Sequence, residues 1–349
     1  MLSVSLSISL AIAVGLSVLA CADPPESPLA VSSAAIVGGE PSPPSENAVV
    51  KLESFQAGRG TTTCVGALVA PHLVLTAQHC VAFNAAGPES DHVCEVDGSV
   101  SPNDDGAGWL GEPLSPADVH VFFGDDLHVR LAADGSGPVP DAVGVHIFGS
   151  GTTESCIDDI ALVELDRAFP VAGLPLRLEQ DVMVGERLTV VGYGFSDVPT
   201  PTDRYRRSSV SVLAVGPDDT SHGLGSVTPR TFLTDTGPCA GDEGGPALSD
   251  ETGAAVGIHS HALHKGDCTA PDQVHAYTKV APYANLIRAA FQATGVSPIE
   301  ERASAQKRTG RGCSVGGLHA GDAQHGTLWG VINCSSLAIV LSLRRRRKV

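Results

Sequence analysis

Aromatic residues are scarce in this chain of 349 residues: Phe, Trp and Tyr together make up 4% of it. A core of bulky rings is therefore excluded, and burial must come from Val, Leu and Ala. With 39 Gly and 24 Pro to punctuate the chain, that composition favours an all-β domain of short segments joined by many turns. Basic residues are the second shortage. There are 22 Lys and Arg against 39 Asp and Glu, for a formal charge of −17. Five of the cations (Arg344, Arg345, Arg346, Arg347 and Lys348) crowd one end, so only 17 face the acids of the body. Such a surface repels phosphate backbones and anionic lipid, which argues against a nucleic-acid partner, and it keeps an exported protein soluble. No CxxC or HExxH pattern occurs, so a structural zinc site has no support, and there is no internal repeat.

What is present in the centre reads as strands. Residues 65–69, 72–76, 119–123, 160–165, 188–192, 209–215 and 254–260 are short, β-branched and bounded by Gly, Pro, Asp or Ser. That pattern suits a barrel or a sandwich. One helix stands out: after Pro282, apolar residues recur at Tyr283, Leu286, Ile287, Ala290 and Phe291, with Gly295 placed to end it, so one face should lie on a sheet. Residues 84–117 read as a long loop tied at Cys94, and 56–63 as a shorter turn.

Both ends carry export features. Residues 4–20 form an apolar stretch, preceded by no Lys or Arg, that runs into Val18-Leu19-Ala20-Cys21. This suits a signal peptide over 1–21 ending in a bacterial lipobox, with Cys21 acylated. At the other end, residues 328–343 are apolar but short for a membrane span, and the Arg cluster follows at once. Together with GRGCSVGG at 310–317, around Cys313, this resembles the tripartite C-terminal sorting tails of myxobacterial surface proteins. The expected organisation is a linker or pro-segment over 22–35, a folded domain over 36–295, a linker over 296–327 and a sorting tail over 328–349. The localisation expected is secreted or anchored at the bacterial envelope, with membrane contact through the terminal segments alone.

Of nine cysteines, Cys21, Cys313 and Cys334 lie in those end segments. The other six (Cys64, Cys80, Cys94, Cys156, Cys239 and Cys268) fall in the domain, and an even number in an exported domain implies bridges. Spacing leaves all fifteen pairings of six cysteines open.

Five blocks appear in fixed order: IVGGE at 36–40, LTAQHC at 75–80, DDIALVEL at 158–165, VVGYG at 190–194 and CAGDEGGPAL at 239–248. YTKVAPYANLIRAA follows at 277–290. The ordered set resembles the trypsin/chymotrypsin-like serine peptidases over nearly all of 36–295. The resemblance implies two six-stranded antiparallel β-barrels, about 36–170 and 171–280, with a terminal helix at about 282–294 and a site in the cleft between the barrels.

It also implies roles. His79 and Asp159 match the general base and its orienting acid, and Gly241 and Glu243 would supply the oxyanion-hole N–H groups. Asp159 is chosen over Asp158 because it directly precedes Ile-Ala-Leu, which leaves Asp158 as a solvated loop acid. The nucleophile position departs from the pattern: the family's serine is replaced by Glu243. A carboxylate attacks amides poorly and places fixed charge where an oxyanion must form. Glu243 is expected to bend toward His79 or into the oxyanion pocket, giving a histidine flanked by two carboxylates and a raised pKa.

By the same resemblance, Ile36 and Asp242 form the activation pair once the chain is cut after Ala35. A trypsin-like activator would not cut there, so an enzyme accepting small residues is the expected processor. The bridges implied are Cys64 to Cys80 and Cys239 to Cys268, with Cys94 to Cys156 remaining. The specificity pocket has Gly237 at its base and Ala262 and His275 on its walls, with no acid to select Arg or Lys. Ser260 supports Asp159, and His261 stands where the family has tryptophan. His259, His261, His264 and His275 invite a metal, but strand and loop positions place them on opposed faces, so neither metal nor cofactor is expected. Two functions follow: an inactive pseudo-protease, monomeric and binding a peptide or protein in the cleft, or an active endopeptidase with an atypical site or a misreported residue 243.

Overall fold

The computed structural model describes residues 36–302, except 85–93, 101–109, 126, 128–137, 152, 157, 195–202, 219–226 and 264–272, together with 331–334 and 337–340. Residues 1–301 form one compact unit and 302–349 another.

In the first unit the chain enters through β1 (Glu40–Pro41), then β2 (Val49–Gln56), β3 (Gly60–Ala70) and β4 (Leu73–Thr76). β5 (Ala82–Asn84) and β6 (Leu110–Pro113) make a separate ribbon, followed by β7 (Val119–Phe122), β8 (Ala142–Gly149) and β9 (Ala161–Leu165). Strands β2, β3, β4, β9, β8 and β7, in that order, close the first barrel. Its interior is aliphatic: Val50, Leu52, Val65, Leu68, Val74, Leu75, Val121, Leu162 and Val163 are buried in one cluster. Small branched side chains supply most of that cluster, as the composition implied, with Phe122 and Phe169 among the few rings in it.

The second barrel contains β10 (Arg187–Gly192), β11 (Tyr205–Val215), β12 (Thr231–Thr234), β13 (Pro246–Ser249), β14 (Ala255–Ala262) and β15 (His275–Lys279). Its pairing closes through β11 and β12, and β1 adds to the outer side of β11 with Glu40 opposite Arg206. The helix α1 (Ala284–Ala293) buries Ile287, Ala290 and Phe291 in the cluster that fills the first barrel. Gly295, at φ +73°, takes the left-handed conformation that ends it. The all-β fold of two six-stranded antiparallel barrels and a short terminal helix is therefore as the resemblance implied.

Two loop assignments need correction. Gln56 pairs with Gly60, so the turn over 56–63 shrinks to Ala57, Gly58 and Arg59, and Thr61 to Thr63 belong to β3. The long loop over 84–117 contains β6, and Leu114 N–H bonds the Val81 carbonyl. Alternation in LGEP is too short to reveal a strand, and the ribbon pairing that makes it one is long-range.

Disulfides join Cys64 to Cys80 and Cys94 to Cys156, across 16 and 62 residues of sequence. Each restricts the unfolded chain by about 3 to 4 kcal/mol. Cys239 is also disulfide-bonded, and Cys268 lies outside the described residues.

In the second unit, β16 (Val331–Cys334) and β17 (Leu337–Val340) pair antiparallel. No helix among the described residues is long and apolar enough to cross a membrane. Residues 1–35, with the signal and lipobox features, and 303–330, with Cys313, lie outside the described residues.

Candidate functional site

His79 sits on a single 3-10 turn, Gln78–Cys80, directly after β4, and the Cys64 disulfide pins that turn to β3. Asp159 closes the loop before β9. Its Oδ2 lies 2.8 Å from His79 Nδ1, and its Oδ1 accepts the His79 amide at 3.0 Å. From the second barrel, Ser260 on β14 donates its hydroxyl to Asp159 Oδ2 at 2.5 Å. Burial alone would raise the Asp159 pKa. The neighbouring His79 charge and hydrogen bond, with those from Ser260 and the His79 amide, instead hold it down at about 2. Burial likewise works to lower His79, but the charge and hydrogen bond of Asp159 and the charge of Glu243 outweigh it, and the imidazole is raised above 6.5.

The nucleophile position is held by a tight turn. Glu243 C=O accepts the Val65 N–H at 2.8 Å, and Gly244 N–H donates to the His259 carbonyl at 2.8 Å. Gly244 has φ +83°, and a Cβ there would lie 2.2 Å from both Thr76 Oγ1 and the Val65 carbonyl oxygen. The turn therefore cannot drift from the first barrel. Within it, the Glu243 side chain folds back so that Oε2 accepts the Gly241 N–H at 2.7 Å. One of the two expected oxyanion donors is thus engaged by a carboxylate of the same chain.

Asp242 points the other way, into the second barrel, where Gly194 N–H and Cys239 N–H donate to it at 2.6 and 2.9 Å. Its pKa is raised well above the usual carboxylate range, chiefly by burial, against the pull of those amides. The Ile36 side chain is buried with Val182, Leu188, Val190 and Val210, and Val37 N–H bonds the Gly237 carbonyl at 2.7 Å. The segment following the expected cleavage point therefore already lies in the second barrel.

Two sequence expectations change. Asp158 is not a solvated loop acid: it is 5% exposed, takes the Arg230 guanidinium, and accepts the Tyr283 hydroxyl at 2.6 Å. It ties the loop carrying Asp159 to the second barrel and to the turn before α1. The histidines are not all on opposed faces either. A bulge between His259 and His261 shifts β14 against β15, and His259 Nε2 comes within 3.3 Å of His275 Nδ1. His261 instead approaches the Ser260 hydroxyl at 3.1 Å, while His264 lies outside the described residues. Ala262 pairs with His275 across the strands. Sequence reasoning also passed over Arg204, a fully buried guanidinium between the barrels; in a segment reading DRYRR it looks solvated.

Among the described residues, one group of potential metal ligands converges, Cys64, His79 and Cys80. The two sulfurs are bonded to each other, so neither is a thiolate that could ligate.

The trypsin profile matches residues 36–103 and 113–287. The chain belongs to the trypsin family. It is 25% identical over 240 residues to phenoloxidase-activating factor 1 of Holotrichia diomphalia, across 64% of this chain and 60% of that one. The trypsin-family chain thus spans under two thirds of that relative. Human heparin binding protein shares its fold at 20% identity, with a TM-score of 0.50 over 75% of this chain and all of that one. A scabies mite inactivated protease paralogue, S-I1, matches 73% of this chain and 99% of its own at 20% identity and a TM-score of 0.49.

In this trypsin-family site, His79 should titrate above 6.5 by NMR, and Glu243→Gln should lower its pKa by removing one of the two flanking charges. A depressed His79 pKa would count against the arrangement. Because the folded value lies above the unfolded one, the stabilisation is complete below about pH 6.5 and is lost as pH rises through the folded value.

Proposed function

We propose that this trypsin-family chain is an exported pseudo-protease, which binds a peptide or protein in the cleft between its barrels without cutting it. The observation that carries this reading is the Glu243 carboxylate on the Gly241 N–H. Hydrolysis needs a hydroxyl at that position and an open hole for the developing oxyanion. Here the hydroxyl is absent and a negative oxygen already engages the hole. In this reading His79 and Asp159 keep their orientation as parts of a binding surface, with Glu243 as a counter-charge. Export follows from the apolar segment before Cys21, and attachment at the envelope from the tail after residue 327.

The second reading, an active endopeptidase, is favoured by the intact His79, Asp159 and Ser260 geometry. Exposure of the purified chain to a mixed peptide library, with mass spectrometry for new termini, separates the two. Bound but uncut peptides are expected; turnover would remove the pseudo-protease reading.

Asp242 gives a further expectation. If trimming to Ile36 pairs the new ammonium with this buried carboxyl, as the family resemblance implies, the trimmed chain should melt several degrees higher than the untrimmed chain. The gain should be present while Asp242 is ionised and the amine protonated, fall at acid pH as the carboxyl takes up its proton, and vanish above about pH 8 as the amine loses its own. Equal melting temperatures across that range would show that the amine does not pair with Asp242.

A further inference from the structure

A cavity of about 320 Å³ opens where the ribbon of β5 and β6 meets the chain that runs from β8 toward Asp159. Val81, Ala82, Pro113 and Ile147 give it apolar walls, and Glu112 brings a carboxylate to it. Gly151, at φ +81°, also borders it, and a Cβ there would meet nothing within 4 Å, so this side is open. All the described residues around it come from the first half of the domain; His79, Glu243 and the strands of the second barrel are not among them. It is therefore separate from the cleft between the barrels. Nor does it belong to the framework that the family shares: the trypsin profile matches 36–103 and 113–287, and Gly111 and Glu112 fall in the gap.

The walls are fixed before any ligand arrives. Ser150 N–H donates to Gln78 Oε1 at 2.9 Å, Leu114 N–H to the Val81 carbonyl at 2.8 Å and Leu110 N–H to the Thr153 carbonyl at 2.7 Å. The Cys94 to Cys156 disulfide joins the same two segments. Walls held in this way lose little freedom when something binds between them. The three bonds also engage the oxygens of Gln78, Val81 and Thr153, all of which border the cavity. Glu112 is the one charged residue of the described lining, and among the described residues no ion pair or hydrogen bond engages its carboxylate. The cation carried toward the ribbon, Arg59, lies over the Phe83 ring instead, 5.5 Å from its centre.

We infer that this cavity takes the cationic side chain of a Lys or Arg presented by a partner protein, with the apolar stem against Val81, Ala82, Pro113 and Ile147 and the charged head on Glu112. This second binding surface is independent of what the cleft does to peptides.

Lys and Arg side chains carry an apolar stem and one charged end, which is the division the cavity itself shows. A wholly apolar side chain would suit the walls but would take water from the carboxylate and return nothing, and an acidic one would be repelled. A bare ammonium ion has no stem to lay against the walls. The chain as a whole points the same way: at a formal charge of −17 it draws a basic partner toward itself from a distance.

The test uses the full chain and three peptides, acetyl-Ala-Ala-Lys-Ala-Ala-amide and its norleucine and Glu counterparts, titrated while the backbone amide signals are followed by NMR. The Lys peptide should move the signals of Gly111, Glu112, Gly151 and Thr153 and bind about fivefold tighter than the norleucine peptide, with the Glu peptide weakest. Salt at about 0.5 M should remove most of that margin, because the pair is open to solvent. Glu112→Gln should reduce the Lys peptide to the norleucine affinity. Thr153→Trp, which adds bulk to the lining without changing its charge, should weaken both. A Lys peptide that binds no better than norleucine, or one whose affinity is unchanged in Glu112→Gln, overturns the assignment. Signals that move at Gly241 and Glu243 alone put the peptide in the cleft, which overturns this surface and leaves the binding-module reading standing. Failure of all three peptides to move the cavity signals overturns it as well, while the peptide-library experiment still decides the reading of the cleft.

Discussion

Replacing Glu243 by serine is expected to convert a chain inert to fluorophosphonate probes into one that is labelled at residue 243 and hydrolyses activated esters. The reasoning runs from geometry to magnitude. Loss of the nucleophile typically removes about 10⁶ of turnover in this mechanism, so restoring it should produce a change far above background. What the serine needs is in place: His79 is oriented by Asp159 at 2.8 Å, and Asp159 is held by Ser260. The same substitution removes the carboxylate from the Gly241 N–H and so frees that donor for an oxyanion. Glu243→Ala separates the two effects, because it clears the hole but supplies no hydroxyl; it should remain unlabelled. If Glu243→Ser also stays unlabelled in a folded preparation trimmed to Ile36, the surrounding machinery has decayed as well. If the parent chain is labelled, a different serine is activated and the account of the site given above fails.

The second large effect concerns stability. Arg204 is 1% exposed and precedes β11. Its guanidinium donates to Ser42 Oγ at 2.8 Å, Asn47 Oδ1 at 2.8 Å, the Pro43 carbonyl at 3.1 Å and the Val49 carbonyl at 3.2 Å. Tyr193 lies beside it, donating to the Gly124 and Val49 carbonyls, and burial pushes that phenol up to about 12. One side chain thus gathers the entry segment, the first barrel and the second. Arg204→Met keeps the volume and removes the donors, leaving several buried oxygens unmatched. The expected loss is on the order of 4 kcal/mol, a large share of the roughly 5–15 kcal/mol that holds a domain folded. It should appear as a fall of about 10 °C in the melting midpoint by circular dichroism. A midpoint unchanged from that of the parent would show that the network is ornamental to folding.

These two predictions differ in how they could be reached. Glu243 stands out in the sequence because its neighbours Gly241, Asp242, Gly244, Gly245 and Pro246 match a family motif on every side. The strands were legible as well, since β-branched runs bounded by turn residues mark β4, β9, β10 and β14 by local pattern alone. Arg204 had no such signal: burial of a guanidinium depends on carbonyls contributed from residues 43, 49 and 124, which no local window contains. The same is true of Asp158, whose partners Arg230 and Tyr283 lie more than seventy residues further along the chain. The meeting of His259 and His275 depends on a bulge, and a one-residue slip in register reverses which face a side chain occupies. Local patterning revealed the elements and the motif, whereas contacts made through long-range register did not show until the chain was folded.

The bond from Tyr283 to Asp158 ties the order of synthesis to the assembly of the cleft. The loop bearing Asp159 is made early, but its neighbour is clasped by Arg230 and Tyr283, and Asp159 itself by Ser260. A nascent chain that has not yet released residue 283 from the ribosome therefore lacks the braces that fix the acid against His79. The site is completed only when β15 and α1 dock, so Asp159 is braced against His79 late in the assembly of the fold.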